Sequence, residues 1–469
     1  MERLIKIGEI KAKNSKDIEF SKIGIGFEKL DRDAFEPSKC YDKISELGVK
    51  WARIQSGWAK TEKERGVYDF VWLDEIVDNL IAHGLKPWMC LCYGNGLYSE
   101  FAAQQFGAVG VPPINTPEAE KAWENYVKAT VKHYEGRIDT FEVWNEPDGL
   151  WGWKTGVNGA EYGAFTDKTA QYVKEVNPNA YVIGGVMCKK NLMFLNPAMA
   201  AGLGRNIDAI SFHEYSHDEG SVKQTVSAYR ALSKLYGKEL EIVQGESGSQ
   251  SRSGGCGAVK TGAWTQRKQA KQLLRHAIAD LMAGVKFTSY FSCIDMFEAL
   301  NGTMDNPDSY KDFGYFGVLG ADFDEKGHAT GTYTPKLSYR ALQVLASLMC
   351  EKVELCEIPL IIRTPKDCGR TYEKSRGVTD IVYQGFKKTN GSYAYVYWCP
   401  TNIMTTEYES TISFRIATMG KALRIVDMMD GSIYEMPEDM YIKDELGTYE
   451  VLDLPVKDYP MMIMCGDFE

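Results

Sequence analysis

The 469-residue chain reads as a (β/α)8 barrel followed by a C-terminal antiparallel β-sandwich. Three observations predict this α/β architecture. From about residue 20 to 350, short β-rich runs alternate with amphipathic helical stretches, eight of each. After Met349 the segments become short, β-rich and separated by turn signals that include Asn-Gly and Asp-Gly. The length also exceeds what one ordinary core supports, so a large domain plus a smaller one is the natural split.

The strand-like runs are SKIGIGFE (21–28), VKWARIQ (49–55), KPWMCLCYG (86–94), DTFEVWNEP (139–147), AYVIGG (180–185), DAISFHEY (208–215), ELEIVQGE (239–246) and KFTSYFSC (286–293). Helical periodicity falls near 36–47, 71–83, 117–134, 160–176, 190–202, 222–236, 265–283 and 335–349. Pro117 suits the first turn of its helix, with Thr116 as N-cap and acidic residues after it. An open doubly wound sheet would prefer a glycine-rich dinucleotide loop after strand one, and GIGF at 24–27 lacks that spacing. The second region offers strands at 380–386, 392–399, 410–417, 423–428 and 459–466. This assigns residues 15–349 to the barrel and 350–469 to the sandwich. Residues 1–14, through KIGEI, are a candidate extra strand of the sandwich.

Composition narrows the partners. Fifty-four basic against 64 acidic residues give a net charge of −10, and no basic stripe marks a nucleic-acid binder. The short cluster Arg267, Lys268, Lys271 lies in a helical pattern and is expected on a solvated face. Charges at positions 2, 3, 6 and 9 leave no leader-like apolar core, and no run of 18 apolar residues suggests a membrane span. Eleven cysteines, several in apolar runs (Cys90, Cys92, Cys293), suit a reducing compartment. A cytoplasmic protein is the expectation, and a homo-oligomer interface, where one forms, would fall on the β-rich region.

In a closed parallel barrel, reactive groups sit at the C-terminal ends of the strands. Glu146 in WNEP ends strand four and Glu246 in QGES ends strand seven. Two opposed carboxyl groups are what glycosidic cleavage needs: one donates a proton to the leaving oxygen, and the other stays ionised and attacks the anomeric carbon. The bland alternative is that both cap strand ends or bind loop amides. The residues alone leave both open.

The run FEVWNEPDGLWGW resembles the acid/base segment of the clan A retaining glycosidases, with Asn145-Glu146-Pro147 at the clan's Asn-Glu-Pro. The resemblance implies Glu146 as acid/base, Glu246 as nucleophile, and Asn145 as partner of the hydroxyl next to the anomeric carbon. His213 and Tyr215 in FHEY resemble the clan's His-x-Tyr pair, and Arg53 in WARIQ its strand-two arginine, which steadies the nucleophile. Within the clan the closest likeness is to family 39, β-xylosidases and α-L-iduronidases, through residues 57–88 and the Asn-Glu-Pro segment. One departure is Gly245, where that family commonly carries Thr or Ser. The resemblance implies a retaining hydrolase without cofactor, cleaving the terminal β-glycosidic bond of small oligosaccharides or glycosides, with xylose as the first choice of glycone.

Several further residues are candidates for the cleft. A cation at Arg53 needs a carboxylate partner, in a site or in a structural salt bridge. Trp151 and Trp58 offer indole faces for sugar rings. Tyr290 and Glu298 follow strand eight; Tyr93 and Asn95 follow strand three. The long loop 94–115 is expected to narrow the pocket and favour exo action. Cys256, in a glycine-rich loop past Glu246, is a cleft thiol without a sequence-local base. No metal site assembles: His213-Glu214-Tyr-Ser-His217-Asp218 lacks the HExxH order, and 321–328 lacks the ligands of a calcium loop. Two alternatives remain. A silent carbohydrate-binding protein would not need both glutamates, and a metal-dependent barrel hydrolase would need a ligand cluster.

Overall fold

Short apolar runs bounded by glycines and polar turns become the staves of the barrel. The computed structural model describes residues 3–363, 381–405, 407–418 and 420–469. Its eight parallel strands close on one another: β1 (Ile23–Gly26), β2 (Trp51–Gln55), β3 (Lys86–Leu91), β4 (Thr140–Val143), β5 (Tyr181–Met187), β6 (Ala209–Glu214), β7 (Glu241–Ser247) and β8 (Thr288–Tyr290). Each lies within the run predicted for it or overlaps it closely. A helix follows each strand: α1 (Tyr41–Ser45), α2 (Val71–Ala82), α3 (Pro117–His133), α4 (Gly159–Val176), α5 (Leu192–Ala200), α6 (Val222–Leu235), α7 (Gln266–Ala283) and α8 (Leu337–Leu348). The Thr116 hydroxyl accepts a hydrogen bond from the Ala119 amide at 3.1 Å, so α3 starts as its sequence predicts.

The barrel interior is layered. Trp88, Ile183, Ala209, Val243 and Phe287 form an apolar floor. The Arg53 guanidinium lies over the Trp88 ring, 5.4 Å from its centroid, and begins a charged layer toward the C-terminal ends of the strands. The apolar floor closes the barrel, and the open end is free to carry chemistry.

After α8 the chain builds two antiparallel sheets. The larger has seven strands, and its outermost is the N-terminal Ile5–Glu9, paired with Ser432–Glu435. The smaller has four, around Glu409–Ala417 and Thr448–Lys457. Ile412, Phe414 and Ile416 alternate inward with a period of two. Sequence reading missed Val353–Cys356, Leu360–Arg363, Ser432–Glu435, Tyr441–Lys443 and Thr448–Lys457. Physical reasons are visible in two of them. Val353–Cys356 is an edge strand with no buried residue, and Pro455 interrupts the donor pattern of Thr448–Lys457.

The sandwich covers α7, and this corrects one expectation. Lys271 is not a solvated face residue: it is 1% exposed and ion-paired to Asp458 of the sandwich at 2.7 Å. On the next turn of α7, Arg275 binds Glu219 at 2.8 Å and donates to the Thr401 carbonyl. Trp398 donates its indole N–H to the same Glu219. Helical periodicity tells which residues share a face, but it does not say that a second domain will lie on it. Among the described residues no helix is long and apolar enough to cross a membrane.

Removing one partner of a buried pair strands the other charge. Lys271→Ala is therefore expected to cost about 3 kcal/mol in chemical denaturation. The double replacement Lys271→Met with Asp458→Leu should recover most of it.

Candidate active site

The site is built around one buried cation. Arg53 projects from β2 into the barrel mouth with no solvent exposure, so its guanidinium must find acceptors. It finds four. Nε donates to Glu142 on β4 at 2.7 Å, and Nη2 donates to the Asn145 side-chain oxygen at 2.8 Å. Nη1 is shared between Glu28, just past β1, at 2.8 Å and Glu246 on β7.

The turn after β4 sets the second carboxylate. Trp144 and Glu146 both take positive φ, 70° and 52°, a left-handed backbone that non-glycine residues adopt only under local constraint. The constraint is backbone hydrogen bonding: the Trp144 amide donates to the Leu91 carbonyl at 3.1 Å, and the Glu146 amide to the Val186 carbonyl at 3.0 Å. Gly152 lets the following loop fold back, since a Cβ there would lie 2.1 Å from the Glu146 carbonyl oxygen. That fold brings the Trp151 indole N–H onto Glu146 Oε2.

His213 and Tyr215, two residues apart, bridge the two sides. His213 Nδ1 lies 2.9 Å from Glu146 Oε1 and 3.5 Å from Glu246 Oε2. The Tyr215 hydroxyl donates to Glu246 Oε2 at 2.6 Å. Gly245 now has a physical reason. A Cβ there would lie 2.5 Å from the Ser211 hydroxyl and 3.0 Å from His213 Nε2, so a Thr or Ser would displace the imidazole.

Electrostatics separates these groups. Burial pushes Glu246 up, but the charges of His213 and Arg53, the Tyr215 hydrogen bond and Lys29 together hold it below the usual carboxylate range. Burial pulls His213 down, and Glu246 and Glu146 outweigh it, so the imidazole is held above its ordinary value. Glu28 goes the other way. Burial and the neighbouring Glu246 charge push it up to about 7 despite Arg53.

A cavity of about 580 Å³ opens over this layer, lined among others by Glu28, Lys29, Arg32, Gln55, Trp151 and Glu298. The acceptor atoms of Glu146, His213 and Glu246 lie within 4.8 Å of one another, a spacing that a cation could also use. The permanent charge of Arg53 on Glu246 opposes that use, as does the His213 hydrogen bond to Glu146. The arrangement suits proton transfer beside an ionised nucleophile.

A family model described as glycosyl hydrolases family 39 matches residues 43–245. The match lies within the barrel, and there the chain is similar to that family. Among curated proteins, a β-xylosidase of Geobacillus stearothermophilus is 26% identical over 184 residues, 37% of this chain and 34% of that enzyme. The match thus spans about a third of that relative's length. Among solved structures, a family 39 glycoside hydrolase from Bacteroides cellulosilyticus superposes with a TM-score of 0.65 at 19% identity, covering 95% of this chain and 80% of that one. The family 39 enzyme from Xanthomonas axonopodis pv. citri gives 0.63 at 16%, covering 97% and 95%. At such identities the superpositions speak for the fold.

Of the residues singled out in the sequence, the barrel brings Arg53, Asn145, Glu146, His213, Tyr215 and Glu246 together. Trp151, Tyr93, Glu298 and Cys256 line the cavity around them. Three expected cleft residues are elsewhere. Trp58 is fully buried, stacked with Tyr98 and Tyr126 and bonded to Glu62. Asn95 braces the same region by donating to the Glu62 carbonyl at 2.9 Å. Tyr290 is buried on β8 and does not line the cavity. Residue order gave each a place near a strand end, whereas the loops after β2 and β3 turn Trp58 and Asn95 into the core and Tyr290 is buried at the end of β8 itself. The long loop 94–115 does not line the cavity either: Gly107 packs on the Arg32 side chain and Gly110 on the Trp151 carbonyl, so the loop buttresses two lining residues from behind.

Sequence reading missed Glu28, Lys29, Arg32, Gln55 and Glu142. A signal existed for two of them. SKIGIGFE ends in a glutamate just as the strand-seven run does, and Glu142 is a charge inside an otherwise apolar strand.

Glu28 generates a stability prediction. Its value of about 7 lies above the ordinary 4.5, so the folded state holds a proton that the unfolded chain releases. Stability should therefore fall as pH rises between those values. Glu28→Gln should flatten this part of a plot of thermal midpoint against pH, with its gain over wild type largest above pH 7.

Proposed function

We propose that this protein is a retaining glycoside hydrolase in which Glu246 is the nucleophile and Glu146 the general acid/base. The observation that carries the reading is the closeness of the two carboxylates, whose nearest oxygens lie within 4.8 Å across the barrel mouth. Inversion needs a water between the carboxylates and a gap of roughly 6.5–9.5 Å, whereas double displacement uses roughly 5–5.5 Å. The likeness to the family 39 model over residues 43–245 supports the same chemistry.

The steps follow from the contacts. Glu246 is kept ionised by Arg53, His213 and the Tyr215 hydroxyl, and its carboxylate attacks the anomeric carbon. Glu146 gives its proton to the departing oxygen, steadied by the Trp151 indole and by His213. The leaving group departs as an alcohol and the sugar is esterified to Glu246. Water then attacks the same carbon from the vacated side, Glu146 takes its proton, and Glu246 is released as a carboxylate. Arg53 holds the Asn145 side-chain oxygen, which turns the amide N–H groups toward the substrate hydroxyl beside the reacting carbon.

The substrates are small oligosaccharides or glycosides cleaved at a terminal β-linkage, with β-xylosides first. Support for xylose is the β-xylosidase name of the Geobacillus stearothermophilus relative. A cavity bounded by Arg32, Tyr93 and Glu298 suits a single terminal sugar.

Hydrolysis of a panel of aryl glycosides, the β-xyloside included, tests the reading. Glu246→Gln should lower kcat/KM at least about a thousandfold. The first-formed product should keep the anomeric configuration of the substrate by NMR. Cleavage untouched by the substitution, or inversion, would sink it. Tyr215→Phe should cost about tenfold and move the acid limb of kcat/KM upward in pH, because one hydrogen bond that favours the ionised Glu246 is gone.

A further inference from the structure

Glu28 is a third carboxylate at the site for which the double displacement has no use. Its Oε1 accepts from Arg53 Nη1 at 2.8 Å, and that same nitrogen holds Glu246 Oε1. Its other oxygen takes no hydrogen bond from the described residues, and the side chain lines the cavity. The groups facing it are Arg53 from β2, His213 and Tyr215 from β6 and the loop after it, Glu246 from β7, the adjacent Lys29, and Cys293 after β8. One guanidinium nitrogen thus serves two carboxylates that cannot both be charged at little cost in a buried layer.

We propose that Glu28 is a positioning residue that takes over the charge of Arg53 when Glu246 becomes esterified, and so stabilises the covalent intermediate. The idea rests on the glycosidase reading above. In the free enzyme Glu246 is the anion on Nη1 and Glu28 carries a proton, consistent with its upward shift. When the Glu246 oxygen bonds to the anomeric carbon, that negative charge disappears and the main repulsion on Glu28 goes with it. Glu28 then loses its proton to solvent through the cavity, and Nη1 of Arg53 keeps a charged partner of its own beside the Glu142 that accepts from Nε. Hydrolysis reverses the exchange: Glu246 leaves as a carboxylate and Glu28 takes a proton back. Over one turnover the net reaction is still glycoside plus water. Glu28→Gln removes the compensation, so the intermediate should be less stable while the free enzyme changes little.

The test traps the intermediate with a 2,4-dinitrophenyl 2-deoxy-2-fluoroglycoside, the xyloside first and then the sugars that the aryl panel selects. Its leaving group needs no proton from the enzyme. Near pH 6, with an indicator dye, wild type should release close to one proton more per labelled site than Glu28→Gln, and the trapped variant should reactivate about tenfold faster. Any proton lost from Glu146 is common to both proteins and cancels. Difference infrared spectroscopy of Glu146→Gln, which the dinitrophenyl leaving group still allows to be labelled, keeps Glu28 in place and removes the Glu146 proton: a protonated-carboxyl band should still vanish on labelling. Equal proton release together with an unchanged carboxyl band overturns the proposal while leaving Glu246 labelled, and the hydrolase reading intact. No labelling of Glu246 by any of these probes would remove the hydrolase reading, and this proposal would fall with it.

Discussion

The buried guanidinium of Arg53 is the constraint on which the rest of the site depends. A permanent cation inside a barrel is tolerable only if anions and carbonyl acceptors surround it, and here four residues at three strands supply them: Glu28 past β1, Glu142 and Asn145 at β4, and Glu246 on β7. Each of these partners is in turn fixed in direction. Glu246 can approach Arg53 from one side only, because His213 and Tyr215 occupy the other oxygen. Asn145 is held between two left-handed residues. The charge balance of the barrel mouth is thus also its geometry.

Below the cation the barrel is filled by apolar side chains, and above it charged groups such as Glu28, Lys29, Arg32 and Glu146 line the cavity. That order has an electrostatic consequence. Charges in the mouth interact strongly because the floor of Trp88, Ile183, Ala209, Val243 and Phe287 gives no screening from beneath. The opposite shifts of Glu246, down, and Glu28, up, express this coupling. Two carboxylates on one nitrogen are driven apart in proton affinity, which is the usual route by which chemically identical groups acquire different tasks.

The sandwich acts at a distance from this layer. It lies over α7, the helix between β7 and β8, through the Lys271–Asp458 pair and the hydrogen bond from Arg275 to the Thr401 carbonyl. Glu219 follows β6, where His213 sits, so the sandwich contacts reach the segment that carries the imidazole. A helix buried on both sides cannot shift freely, and the strands that flank it inherit that rigidity.

Much of this was legible in the residues. Two periodicities and their change after Met349 marked the barrel and the sandwich, because strand and helix patterns are local properties of the chain. Asn145-Glu146-Pro147, the Glu246 strand end, His213 with Tyr215, and Arg53 marked the site, because each lies at a strand end and in a barrel all strand ends converge. What the sequence by itself determined was therefore the architecture and the facing carboxylates. Only the tertiary structure decided that Trp58, Asn95 and Tyr290 stand outside the cavity, that Lys271 is buried, and that Glu28 shares a nitrogen with Glu246. Those facts depend on which way a loop turns and on what packs from another part of the chain. No short window of sequence contains that information.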